Sequence, residues 1–173
     1  QVSPTCAGDV VSDIGDLLDP ALDVVLDGGE CPVGVESTIL DCTGYSPRVL
    51  RWGAVEVAQI EQIAGVALDR GSSRVRAPGG LASHYAPAAA VHLGGDATAG
   101  EGFLALAGVA TPPGAVRLAS PADTREFAAM LYRALRDADA RGLAVVWTIP
   151  PADGSALAAA VRDRLSRAAV RPG

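Results

Sequence analysis

The sequence predicts an α/β protein in two unequal pieces joined by a linker, and three observations carry that expectation. From residue 89 onward, short apolar segments alternate with amphipathic stretches of helical period. Residues 143–149 form a near-continuous apolar run, as a parallel strand covered on both faces requires. Residues 67–88 interrupt the pattern, first with Arg70, Arg74 and Arg76 among small residues and then with Pro78 and Pro87. The expected organisation is therefore an α/β portion over 1–66, a linker over 67–88 and a small doubly wound parallel α/β domain over 89–173.

In the first portion, Thr5 is placed to cap a helix on which Val10, Ile14, Leu17 and Leu18 share one face and which stops before Pro20. Residues 23–26 read as a buried strand, Gly28 and Gly29 as a turn, and residues 35–42 and 48–51 as two further strands. A helix follows with Val57, Ile60 and Ala64 on its apolar stripe and Gly65 at its C-terminal cap. A piece of this size with so open an edge is marginal by itself. An exposed sheet edge along 23–51 and a large apolar face are expected.

The second portion offers strands at 91–93, 103–107 and 115–118, then a helix-capping segment at 120–123. Its first helix turns Phe127, Met130, Leu131, Ala134, Leu135 and Ala138 inward and ends at Gly142. The strand 143–149 and a last helix over 155–169, burying Leu157, Val161 and Leu165, complete the domain.

Composition narrows the function classes. The 173 residues are 49% hydrophobic, with mean hydropathy +0.26, yet the apolar runs are short and broken by Gly or Pro, so no membrane span is expected. Asp9, Asp13, Asp16 and Asp19 crowd the region where a secretory signal would be apolar, which makes the cytoplasm the expected location. Cys6, Cys31 and Cys42 fit no zinc spacing and read as reduced thiols in packed positions, with no metal site. A net charge of −6 opposes nonspecific affinity for nucleic acid.

The residues richest in chemistry lie between 28 and 51. Glycines at 28, 29 and 34 let backbone amides approach a ligand, and Ser37 and Thr38 follow where an extended segment begins. Arg51 ends the next extended segment, and a hydroxyl beside a guanidinium on neighbouring strands suits a carboxylate or phosphate. On the residues alone, Arg51 serves either such an anion or Glu56 or Glu61, and Thr5 serves either a ligand or a helix cap. The glycine-rich loop at 94–101 fails as a phosphate loop, because Glu101 stands where a lysine is needed. Arg162, Arg164, Arg167 and Arg171 make the last helix basic, which the helix dipole alone favours.

Several motifs together resemble one family. They are Ser3-Pro4-Thr5, the run Gly28-Gly29-Glu30-Cys31-Pro32-Val33-Gly34-Val35-Glu36-Ser37-Thr38, Ala77-Pro78-Gly79 with His84-Tyr85-Ala86-Pro87, and the tail from Gly154 to Ala169. In this order they resemble the long, two-domain form of threonylcarbamoyl-AMP synthase, a YrdC-like family. The resemblance implies that residues 1–66 are the C-terminal part of a YrdC-like twisted sheet domain and that the last domain is Rossmann-like. It also implies a reaction in which L-threonine, bicarbonate and ATP, with Mg2+ accompanying the ATP, give threonylcarbamoyl-AMP and pyrophosphate. The product would pass to the machinery that installs threonylcarbamoyladenosine in tRNA.

By motif match, Ser37 would contact the threonine or its carbamate, while Thr5, Arg51, His84 and Tyr85 would bind ATP, the last two as a lid from the linker. None of these is a general base. The family's Lys-x-Arg and Ser-x-Asn motifs would lie before residue 1, so the chain is expected to be incomplete and inactive alone. An RNA-binding module, or a regulatory remnant that docks through the edge of 23–51, stands as the alternative.

Overall fold

The computed structural model describes residues 2–69, 75 and 86–169. Its larger body is a four-stranded parallel sheet of β3 (Ala90–Leu93), β4 (Gly102–Leu104), β5 (Val116–Ala119) and β6 (Val145–Thr148), in the order β3-β6-β4-β5. Helix α3 (Thr124–Ala140) makes the connection from β5 to β6, and α4 (Ala156–Ala169) follows β6 as the last element. Parallel neighbours need such crossovers, because a tight turn cannot return the chain to the same end of the sheet.

The core forms where the two helices meet the sheet. Phe127, Leu131, Leu135 and Ala138 of α3 pack with Val161 and Leu165 of α4 and with Leu104 and Val146 of the strands. The opposite face is covered by loops instead, with Phe103 buried among Ala97, Ala105, Val109 and Trp147. The expected doubly wound arrangement is thus corrected to helices on one face. The connections at 94–101 and 105–115 carry no helix and fold over the second face themselves. Arg117 holds that loop layer, donating to the carbonyls of Ala105, Leu106, Val109 and Ala119.

Asp123 caps α3 by accepting from the Glu126 amide, and the Glu126 carboxylate accepts from the Ala122 amide. The first bond satisfies an amide that the first helical turn leaves open, and the second ties down the residue before the cap. Met130 is 38% exposed rather than inward, whereas Tyr132, unread from the sequence, is buried at 2%. Both flank the apolar stripe, and Tyr132 is drawn inward by a partner for its hydroxyl.

The first portion is thinner. Helix α1 (Ala7–Ile14) leads through a 3-10 turn at Gly15–Leu17 into irregular chain; β1 (Ile39–Asp41) and β2 (Arg48–Arg51) pair antiparallel; α2 (Val57–Ala64) follows and ends at Gly65 with φ 67°. Asp41 accepts from the amide and hydroxyl of Thr43 and so shapes the turn. The expected buried strand at 23–26 does not form. Leu22, Val24 and Leu26 are 82%, 78% and 86% exposed, because the two-stranded sheet offers that segment no partner. Strand β1 is shorter than expected, since residues 34–36 dock on α3 instead of extending the ladder.

The thiols are free, as expected, but Cys31 and Cys42 are exposed rather than packed. Among the described residues, no helix is long and apolar enough to cross a membrane.

Candidate functional site

Strands β1 and β2 bring Ser37 and Arg51 together. The register sets Ile39 opposite Arg51, and the Arg51 side chain folds back along the preceding residues. Its Nε donates to the Ser37 carbonyl at 3.1 Å, and a terminal nitrogen lies 3.3 Å from Ser37 Oγ. Neither acidic neighbour weighed for Arg51 is needed for this placement. Glu56 instead accepts from the Ala156 amide at the N-terminus of α4, and Glu61 from the Leu68 amide. Ser37 is exposed and Arg51 half-buried, so an anion can reach a hydroxyl and a guanidinium at once.

Close backbone contact holds this pair. A Cβ on Gly53 would lie 2.3 Å from the Thr38 amide nitrogen and 2.6 Å from the Ser37 carbonyl carbon, so only glycine lets the chain beyond β2 pass there. Gly34, read from the sequence as a ligand-facing glycine, has a different duty. With φ 74° it lies flat on α3, where a Cβ would come within 2.1 Å of the Ala128 oxygen. Nothing stands within 4 Å of such an atom at Gly28 or Gly29.

Thr5 is not the cap of α1; Cys6 holds that position without a side-chain bond. The Thr5 amide and hydroxyl both donate to the Asp9 carboxylate, at 2.7 and 2.9 Å, and its carbonyl accepts from the Cys31 amide. Asp9 sits in the first turn, so it captures the threonine that precedes the helix. His84 and Tyr85 lie outside the described residues, as do Ala77, Pro78, Gly79 and Arg171.

The group that sequence reasoning missed is Glu36. Its carboxylate accepts from Ser3 Oγ at 2.7 Å, from the Tyr132 hydroxyl at 2.9 Å and from Arg164 Nε at 2.8 Å. Arg164, with none of its side chain exposed, also donates to the Trp52 carbonyl at 2.9 Å and to Asp163 at 2.7 Å. Arg167 pairs with Asp163 as well, so these two arginines of α4 serve carboxylates. A parallel clamp joins Arg136 of α3 to Asp13, and its Nη2 also donates to the Val2 carbonyl.

Burial pushes the Glu36 carboxyl up, but hydrogen bonds from Arg164, Ser3 and Tyr132 outweigh it and hold the group below its ordinary 4.5. A carboxyl lowered on folding contributes stability that is fully present above the unfolded value and is lost as pH falls through the folded one. Stability should therefore drop as pH is taken below 4.5, with Asp9, also lowered, contributing to the same acid loss. Glu36→Gln should flatten the part due to the carboxylate. Denaturation midpoints of the two proteins across the acid range check this, and parallel curves would contradict it.

Comparison with known proteins gives the chain's relatives. A family model described as threonylcarbamoyl-AMP synthase, C-terminal domain, matches residues 55–170. The threonylcarbamoyl-AMP synthase of Pyrococcus abyssi is 35% identical over 95 residues, 51% of this chain and 27% of that protein. The one from Bacillus subtilis is 39% identical over 92 residues, 50% of this chain and 25% of that protein. The matched regions thus span about a quarter of these curated relatives. The crystal structure of P. abyssi Sua5 complexed with L-threonine superposes with a TM-score of 0.75 at 26% identity, covering 98% of this chain and 54% of that one. A variant of P. abyssi Sua5 with a His and a Tyr replaced by Ala gives 0.73 at 24% identity, which bears on the fold alone. Matched over 55–170, the chain belongs to the threonylcarbamoyl-AMP synthase C-terminal domain family.

Proposed function

We propose that this chain works as the C-terminal portion of a cytoplasmic L-threonylcarbamoyladenylate synthase and is inactive without the remainder of the active site. The observation that carries the reading is the Ser37–Arg51 pair: a hydroxyl and a fixed cation 3.3 Å apart, in a chain whose structural relative was solved complexed with L-threonine. Ser37 would bond the carboxyl group of threonine or of its carbamate. Arg51 would hold the nucleotide, where a permanent cation offsets the charge gathering on the α-phosphate during attack.

Thr5, at the N-terminal end of α1, would add nucleotide contacts after exchanging its bonds to Asp9. His84 and Tyr85 would close over the mixed anhydride and keep water from it. Positioning and charge stabilisation thus replace a general base. Mg2+ would be carried by the phosphates of ATP. Bicarbonate would be the third substrate, and the tRNA threonylcarbamoyl-transfer machinery would consume the product.

The test is pyrophosphate release by the complete gene product from ATP. Release should require both L-threonine and bicarbonate, fall by about 100-fold in Arg51→Ala and about tenfold in Ser37→Ala. Release independent of threonine, or unchanged in both variants, would sink the reading.

A further inference from the structure

We propose that Arg164 is a positioning residue: from helix α4 it sets the spacing of Ser37 and Arg51 by gripping the residue before the one and the residue after the other. The inference rests on the synthase reading only for what the pair binds, and on geometry for the grip itself. Arg164 Nε reaches Glu36, next to Ser37, at 2.8 Å, and its Nη2 reaches the carbonyl of Trp52, next to Arg51, at 2.9 Å. One rigid plane therefore spans both chain segments, and a guanidinium, unlike an ammonium, fixes the angle as well as the distance between them.

Four further contacts make the grip directional. The Tyr132 hydroxyl on α3 donates to Glu36 from the same domain. The Ser3 hydroxyl closes the carboxylate from the chain's early residues. Gly53 presses on the backbone of 36–38, so a shift of Trp52 is passed on to Ser37 without slack. Asp163 steadies the guanidinium from its own helix.

Mere docking of the two portions would not call for this arrangement. A buried ion pair seldom stabilises a fold more than well-packed apolar side chains of the same volume, because desolvation cancels most of the attraction. What it supplies is a fixed geometry. Placed one residue from each member of the candidate site, that geometry gives the small α/β domain a means of governing the site without touching ligand. The Val-Gly-Val-Glu run before Ser37 is then a seat for α3 and α4, with Gly34 flat on α3 and Glu36 locked to both helices.

The experiment compares wild type, Arg164→Lys, Arg164→Ala and Tyr132→Phe in the complete gene product, by amide hydrogen exchange and by titration with L-threonine. Arg164→Lys keeps a charge for Glu36 but loses the fork. In both Arg164 variants exchange at residues 36–52 should rise about tenfold more than exchange at β6 and the middle of α3, which rises only with the shared loss of global stability. L-threonine should bind about tenfold more weakly in Arg164→Lys. Tyr132→Phe should show the same pattern at smaller amplitude. If Arg164→Ala does not fold, the Lys and Phe variants carry the comparison.

Unchanged exchange at 36–52 would overturn the proposal. So would an equal rise across β6 and α3, which is the mark of a purely structural role. If wild type binds no L-threonine while exchange at 36–52 responds as stated, the synthase reading fails and the positioning role stands.

Discussion

Gly34→Ala is expected to be the most damaging single substitution in the chain, costing about 4 kcal/mol of folding stability. Two effects add there. The residue sits at φ 74°, in the left-handed region that costs an L-residue about 1–2 kcal/mol. The new methyl would also stand 2.1 Å from the Ala128 oxygen and 2.4 Å from the Ala129 Cα. Both are backbone atoms inside α3, so no rotamer change relieves the overlap, and either the helix moves or residues 34–36 leave their seat. Gly29 supplies the control. It has φ 83° with nothing within 4 Å of a built Cβ, so Gly29→Ala should cost about 1 kcal/mol, from backbone strain alone. Urea denaturation of the two variants separates the terms; equal midpoints would mean that α3 is not where Gly34 rests.

The second large effect concerns Glu36 and Arg164. Glu36→Ala leaves the buried Arg164 guanidinium without its Glu36 partner, though it keeps Asp163 and the Trp52 carbonyl among others, a loss of about 3 kcal/mol. Arg164→Met leaves Glu36 to the Ser3 and Tyr132 hydroxyls, and because that carboxylate keeps some contact with water the cost is lower, about 2 kcal/mol. The double variant removes both charges together. It should be more stable than the sum of the single losses implies, with a coupling of about 1–3 kcal/mol. Denaturant unfolding of all four proteins measures it, and additivity within about 0.5 kcal/mol would show that the two residues do not act as a unit.

Local patterns made much of this fold legible. The apolar period of α3, its Asp123 cap, the buried run that becomes β6 and Gly65 closing α2 all depend on neighbours within a turn or two. Ser37 and Arg51 were legible for the same reason, since a short strand pair fixes their distance by register. What could not be read is the long-range polar chemistry. Tyr132 and Arg164 meet Glu36 across 96 and 128 residues of sequence, and no periodicity encodes that meeting. Arg164 read as one more cation near a helix end, a role the helix dipole makes plausible without any partner. Gly34 read as a ligand-facing glycine because a positive φ and a close approach look alike in sequence, whether the approaching group is a phosphate or a helix. The failed strand at 23–26 has a similar origin: Val24, Val25 and Leu26 carry strand propensity, but propensity forms no ladder without a partner.

The central claim is that Ser37 and Arg51 form one ligand-binding pair, and a crystal structure of the complete gene product with L-threonine and a non-hydrolysable ATP analogue tests it most directly. The expected result is a carboxylate oxygen within hydrogen-bond distance of Ser37 Oγ and a phosphate oxygen on the Arg51 guanidinium. Threonine and nucleotide seated away from both residues, with the Arg51–Ser37 contact unchanged, would contradict it.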